Sequence, residues 1–564
     1  MSGAIQNKRS CKRCSERKVR CDRNSPCGAC VKEEHPCTFP GPKRAPRTLN
    51  RPPVGELLAR LTELEEEVQR LRSEHHESDE HSSKSSSVKG GLGPLAGLLG
   101  HSNHPSWSND LFRRYYLQPL QIEALWRIYS ASVAPLIAVL HLPTTARIVQ
   151  DATKGRDIDP AREALLISVC FAAVVSMHPN QLQSELGLEY HKAKAAYEHA
   201  VDQALSRADF VKSPGIFTLQ AAVLYLLCAR VDGDTRLVWA ESAAVIRLAQ
   251  SQGTHRDGTK TGLSPFDTEI RRRLWWHICI LDMLCSEDQG VDMQIRPGTF
   301  DAQFPVNVNG DELDPLMLEL PPEDTGFTDI TLCITTSFMI MEVYLLHQPL
   351  DPIPSLDARQ DQIKSVGRTL HNQYLNHFDL GVPIHWVSAT ITRLHLLKLW
   401  VSVHSQLCSS SDSGQPQLQY KDSVFRTAVE LAEFAHFLQT NDVTAQWGWL
   451  CRSYKQKEAI SYVLDELSSR APSPEMDRAW EVVTKTTSLW RQGRPGTGGE
   501  PEAPLLELIR RADLLREGKL GRLPAVQMAG DASIGEDAVS GSYTNPSTIA
   551  WLQGIWPYEQ INEV

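Results

Sequence analysis

Six cysteines crowd into residues 11 to 37, and their spacing constrains this chain more than any other feature. Cys11, Cys14 and Cys21 form a C-x2-C-x6-C unit, which Cys27, Cys30 and Cys37 repeat sixteen residues later. Residues 1 to 10 are polar, so the expectation is that no secretory signal is present and that the cysteines meet a reducing compartment. There they read as metal ligands; a disulfide framework would need an export signal, and a thioredoxin-like pair would need a strand-helix context. Two tetrahedral zinc ions need eight sulfur positions, which six thiolates fill only when two sulfurs bridge both metals, one from each half. Each Cys-x2-Cys starts a short helix and each x6 segment returns the chain to the metal, so zinc replaces a hydrophobic core as the source of folding energy.

Charge adds a partner to this metal centre. Residues 1 to 53 hold 13 Lys+Arg against 4 Asp+Glu, a net +9, whereas the rest of the 564 residues carries −19 within an overall −10. A compact cationic segment on an acidic body is the footprint of a polyanion-binding protein. The two cysteine halves also differ: Lys12, Arg13, Arg17, Lys18 and Arg20 stand with one acid, Glu16, in the first, while the second has Lys32 with Glu33 and Glu34. Only the first half suits double-stranded DNA, its helix entering the major groove with a Lys or Arg donating to guanine O6 and N7 and its neighbours holding phosphates.

The full spacing, C-x2-C-x6-C-x5-C-x2-C-x6-C, resembles the zinc binuclear cluster (Zn2Cys6) of fungal transcription factors. That resemblance implies two Zn2+ ions per chain, bridged by Cys11 and Cys27 and completed by Cys14, Cys21, Cys30 and Cys37. It implies that Lys18, near the C-terminal end of the first helix, reads a CGG-type triplet, with Arg17 assisting and Arg20 on the DNA backbone, beside Lys12 and Arg13. Pro26 fits the family's proline between the halves, and Ser15 stands where the family is often basic, which removes one phosphate contact.

Residues 1–40 are thus read as a DNA-binding domain, followed by a basic, proline-rich linker at 41–53 with Lys43, Arg44, Arg47 and Arg51. From Thr38 to Pro53 such a chain, extended at about 3.1 Å per residue, spans roughly 50 Å. Residues 54–75 place Val54, Leu57, Leu61, Leu64, Val68 and Leu71 at three-and-four spacing, a short coiled-coil seam. In a parallel homodimer Arg60 would face Glu65 of the second copy and Glu67 would face Arg72, both attractive; the competing reading is one amphipathic helix packed on its own body. Residues 76–108, rich in Ser, His and Gly, read as a disordered linker.

Residues 109–519 read as a large all-α array, making the chain mainly α. Helical spacing runs over Pro160 to Met177, Gln183 to Asp209, Ser213 to Val231, Asp234 to Gln252 and Ser264 to Cys285, with Asp234 and Ser264 as N-caps and Gly253 as a stop. The segments Ala249 to Asp257 and Glu269 to Asp282, with Phe304-Pro305 and the turn before Asp311, resemble the fungal-specific transcription factor domain over roughly residues 115 to 350. In that family this region regulates activity, sometimes by sensing a small molecule. Arg271, Arg272 and Arg273 turn by about 100° each on a helix, so they are expected to form salt bridges rather than one DNA-binding face. Trp275 and Trp276 are expected in the core, as are the seven scattered cysteines. His255 with Asp257 and His277 with Asp282 are raw material for acid-base chemistry, but no nucleophile motif or phosphate loop accompanies them, and no enzyme is expected. No uncharged apolar run reaches the roughly 18 residues of a membrane span, so no membrane partner is expected.

The tail, 520–564, mixes Trp551, Trp556 and Tyr558 with five acids against Arg522, either an acidic activation segment or a tail docking its tryptophans on the body. The function that follows is a nuclear, dimeric, zinc-dependent regulator of RNA polymerase II genes, an activator of a pathway or secondary-metabolite gene cluster that contacts the transcription machinery or a coactivator. The alternatives are a repressor with the same head, or a ligand-binding or enzymatic helical body with an accessory zinc head.

Overall fold

The computed structural model describes residues 10–39, 109–347, 356–379, 381–408, 415–441, 444–451, 456–470, 473–492, 506–511 and 514. The basic linker, the heptad seam, the segment 76–108 and the tail 520–564 lie outside the described residues. The chain divides into two compact units, Met1–Ser87 and Val88–Val564.

In the first unit, two five-residue helices, α1 (Lys12–Glu16) and α2 (Gly28–Lys32), flank a core made of sulfur: Cys11, Cys14, Cys27 and Cys30 are at most 2% exposed, with Cys21, Cys37, Ala29 and Phe39 packed against them. Its chain ends are joined where the Lys12 amide donates to the Thr38 carbonyl at 2.9 Å.

The second unit is built of helices joined by loops, with no strand among its described residues. It runs α3 (Asn109–Tyr116), α4 (Pro119–Ile128), α5 (Leu142–Thr153), α6 (Pro160–Ser176), α7 (Pro179–Leu186), α8 (Tyr190–Arg207), α9 (Ile216–Asp232), α10 (Thr235–Ser251), α11 (Gly258–Thr261) and α12 (Pro265–Gln289). A long loop then leads to α13 (Thr331–His347), α14 (Leu356–Gln373), α15 (Pro383–Cys408), α16 (Gln415–Thr440), α17 (Gly448–Cys451), α18 (Lys457–Ser469) and α19 (Pro474–Gln492). The centre is α6, in which every residue from Glu163 to Val175 is buried, packed by α8 and α9. A helix apolar on all sides can only be an interior helix. Its one buried acid, Glu163, is paired by Arg113 and, at 3.1 Å, by Arg207.

Local chemistry explains where these helices begin and end. Asp159 caps α6 by accepting from the Ala161 and Arg162 amides, Asp234 caps α10 from Arg236 and Leu237, and the Ser264 hydroxyl accepts from the Asp267 amide at 3.0 Å. Gly253, at φ +70°, ends α10 in a Schellman arrangement, with Thr254 donating to Ala249 and Gly253 to Gln250. One helix expected to be continuous from Gln183 to Asp209 is two, because Gly187 adopts φ +67° and stops α7 before α8 begins. Likewise α9 starts at Ile216 rather than Ser213, since Pro214 and the N-capping Gly215 keep the chain extended.

The arginines of the Arg271–Arg273 run are structural. Arg272 grips Asp257 with two bonds of 2.8 and 2.9 Å, and Arg273, 1% exposed, reaches Glu269 at 3.1 Å, Asp329 at 3.3 Å and the Val308 carbonyl at 2.7 Å. Arg271 differs from the expectation: it donates to the Gln252 carbonyl at 3.0 Å instead of a carboxylate. Trp275 and Trp276 are buried, as are Cys170, Cys228, Cys279, Cys285 and Cys333; the side chains of Cys408 and Cys451 are outside the described residues.

Candidate metal centre and nucleic-acid interface

The sixteen-residue sequence repeat is also a backbone repeat. Ser15 donates to the Cys11 carbonyl and Val31 to Cys27, both at 3.0 Å; Val19 donates to Cys14 and His35 to Cys30, both at 3.1 Å. Arg17 and Glu33 cap the C-termini of the two helices, and Lys18 and Glu34, one residue further, both adopt left-handed backbone at φ +55° and +48°. In each half the first cysteine is the helix N-cap, and its Cys-x2-Cys partner points inward beside it.

The sulfur geometry fits zinc. Two thiolates on a tetrahedral ion at about 2.3 Å stand about 3.8 Å apart. The observed Sγ separations are 3.8 Å for Cys11 and Cys27, 3.7 Å for Cys11 and Cys30, and 3.6 Å for Cys14 and Cys27. All three contacts cross between halves, which is compatible with Cys11 and Cys27 serving as ligands shared by the two halves. Cys21 lies in the same ligand-distance group as Cys27, and the Cys27 amide donates to the Cys37 sulfur at 3.3 Å. The Cys14 amide holds the Cys11 thiol below its ordinary pKa against the opposing effect of burial, and the Cys30 amide does the same for Cys27. Burial and the neighbouring sulfurs push Cys30 up to about 12, and Cys14 is also raised, by its bond with Cys11 and by burial. Zinc ions held here would take these sulfurs as thiolates and would supply the folding free energy of this unit.

Around this centre the basic residues divide. Arg13, at 3.1 Å, and Arg17 both donate to one carboxylate, Glu33, contributed by the opposite half. Those bonds hold Glu33 below the usual carboxylate range, Arg17's contributing most. Lys12, Lys18 and Arg20 are exposed, and among the described residues no carboxylate pairs with them. Lys18 lies in the turn after α1, which ends at Glu16, rather than within the helix. Two features escaped the sequence reading: the Glu33 pairing, which joins residues sixteen or more apart, and Asp22, which ties the halves by accepting from the Asn24 amide at 3.2 Å and the Gly28 amide at 2.9 Å. The Asp22 carboxylate is held below its ordinary pKa, chiefly by that Gly28 bond. Pro26 follows a cis peptide bond between the halves.

The body offers no comparable reacting centre at the two His/Asp pairs. Asp257 is wholly buried; burial works to raise its pKa, but Arg272, Thr259 and the Gln303 amide outweigh that and hold it far below the usual range. It is thereby committed to Arg272, not His255. His277 donates through Nδ1 to the Arg273 carbonyl at 2.7 Å, and burial lowers its pKa to about 4, while Asp282 accepts from the Ile295 amide at 2.8 Å. No helix among the described residues is long and apolar enough to cross a membrane.

Comparison with known proteins agrees with both units. Residues 9–46 match the fungal Zn(2)-Cys(6) binuclear cluster domain, and residues 126–430 match the fungal specific transcription factor domain. The second match covers more than half of the chain, which therefore belongs to the family of fungal transcription factors that carry this domain, here with a binuclear zinc cluster. Similar proteins include the pyriculol/pyriculariol biosynthesis cluster transcription factor 1 of Pyricularia oryzae, 28% identical over 65% of this chain and 50% of its own length. The aurofusarin cluster transcription factor aurR2 of Gibberella zeae is 26% identical over 64% of this chain and 55% of its own. The C6 finger domain transcription factor nscR of Aspergillus fumigatus is 26% identical over 78% and 58%. The chain spans about half the length of the curated relatives it matches.

Proposed function

We propose that this chain is a nuclear, sequence-specific regulator of RNA polymerase II transcription that activates a pathway or secondary-metabolite gene cluster. The observation that carries this reading is a cluster of cysteine sulfurs at zinc-ligand spacing, beside Lys12, Lys18 and Arg20, which are exposed and have no paired carboxylate among the described residues. Zinc held by Cys11, Cys14, Cys21, Cys27, Cys30 and Cys37, with Cys11 and Cys27 bridging, sets the turn after α1 in place. From that turn Lys18 donates to guanine O6 and N7, Arg20 and Lys12 hold phosphates, and Arg13 and Arg17 join them once Glu33 is displaced. The names of the relatives, two of them cluster transcription factors, support the cluster-level reading. The heptad residues Val54 to Leu71 supply a homodimer seam, and the domain limits are those read from the sequence, with the body at 109–519 regulating output and the tail at 520–564 as activation segment.

The test is selection of bound duplexes from a random pool by the full-length chain, with zinc measured on the same sample. Two CGG-like triplets at one spacing and two zinc ions per chain are expected; no enrichment at full zinc content would overturn the reading. Placing the recovered site upstream of a reporter then separates activator from repressor by the sign of the response.

A further inference from the structure

We propose that the body's loop from Asn307 to Asp324 is a pre-formed docking element for another protein, a coactivator with an apolar groove rimmed by lysine and arginine. The proposal rests on the transcriptional role given above and adds the surface through which that role is exerted.

The loop is fastened at its root. The Asp324 amide donates to the Asn307 carbonyl at 2.8 Å, and the Asn307 side-chain amide donates back to the Asp324 and Gly326 carbonyls at 2.7 and 3.0 Å. Asn307 is 3% exposed, and its side-chain oxygen accepts from the Thr328 and Thr331 hydroxyls at 2.8 and 2.9 Å. Leu313, 3% exposed, pegs the near limb into the body, and Asp314 shapes the tip by accepting from the Leu316 amide at 2.8 Å. Closed loops of this kind frequently carry function.

At the tip, Leu316 and Leu318 are 88% and 90% exposed, the two most exposed large apolar side chains among the described residues, with half-buried Met317 between them. Single exposed leucines are ordinary surface, but two within three residues on an anchored loop offer a partner two apolar anchors. Because the loop is already ordered, a partner that covers them pays little conformational entropy.

Charge selects the occupant. No Lys or Arg occurs between Arg296 and Arg359, while Asp311, Glu312, Asp314, Glu319, Glu323 and Asp324 flank the leucines along the chain. A second copy presenting the same face would meet six like charges, and the acidic tail of this chain is disfavoured for the same reason. A cationic rim around an apolar groove satisfies both the leucines and the acids.

The experiment uses the full-length chain in a fungal host whose reporter carries the selected DNA site, with promoter occupancy and reporter output measured together. Leu316→Ser with Leu318→Ser is expected to lower output about tenfold, and Glu319→Gln with Glu323→Gln severalfold, both at unchanged occupancy. A photocrosslinking amino acid at position 318 is expected to capture a different polypeptide, with capture weakened by the Glu319→Gln and Glu323→Gln pair. Equal output at equal occupancy overturns the proposal, as does a crosslink to this chain itself or to a second copy. A wild-type chain that never occupies the promoter defeats the transcriptional reading instead, and the crosslink then decides the loop alone.

Discussion

The two halves of the zinc unit share a backbone and oppose each other in charge. Equivalent amides donate to equivalent carbonyls, and Lys18 and Glu34 adopt the same left-handed conformation, yet the first half is cationic and the second supplies Glu33 and Glu34. A shared cluster constrains both alike, because each half must bring three cysteines to it. Side chains on the outside are released from that constraint, so the first half leaves Lys12, Lys18 and Arg20 exposed while the second supplies Glu33 to Arg13 and Arg17.

The largest way to break this symmetry is to remove a ligand. Cys14→Ser takes a sulfur 3.6 Å from Cys27 out of the shared core, and it is expected to unfold both halves together, abolish specific DNA binding and lower zinc content below two per chain. Zinc analysis with a mobility-shift assay checks it, and retained stoichiometry would contradict a binuclear centre. A sharper comparison exchanges equivalent positions. Lys18→Ala should keep both zinc ions and cost about 1–3 kcal/mol of discrimination at one base position, whereas Glu34→Ala should leave base preference unchanged. Equal losses in a binding-site selection would show that the halves share the reading task.

A smaller effect is expected from Glu33→Gln, which frees Arg13 and Arg17 for phosphates. Affinity at low salt should rise severalfold, and the slope of log K against log salt should steepen by about one for each phosphate gained. An unchanged slope would mean that the two arginines already bind DNA while paired. The smallest is Glu34→Gly, which relieves a left-handed non-glycine residue and should stabilise the zinc unit by about 1 kcal/mol. Thermal melting at saturating zinc measures it, and no gain would indicate a compensating role for the Glu34 side chain.

Legibility differed between the units for a physical reason. The zinc centre was readable because ligand spacing is local: two cysteines three residues apart share one helical turn, and the repeat states the stoichiometry. Capping was readable in the body for the same reason, as Asp234 and Ser264 act on amides two or three residues away, although the Asp159 cap was not read. The break at Gly187 was missed because apolar spacing continues across it and only the φ of +67° ends the helix. Arg272 and Arg273 were correctly expected to be structural, but their partners were not foreseen.

What lies along the chain, then, was set by residue order: the cysteine cluster and its metal, the basic first half, the helical body and most ends of the helices read between Pro160 and Cys285. Long-range closure settled the rest. It made Glu33 the shared partner of Arg13 and Arg17, committed Asp257 to Arg272 and away from His255, and left Leu316 and Leu318 exposed on a loop tied at Asn307. Each of these depends on which groups far apart in sequence meet in the folded chain, and for the buried Asp257 and Asn307 a charge or amide must find a partner or forfeit its solvation; no spacing rule encodes that outcome.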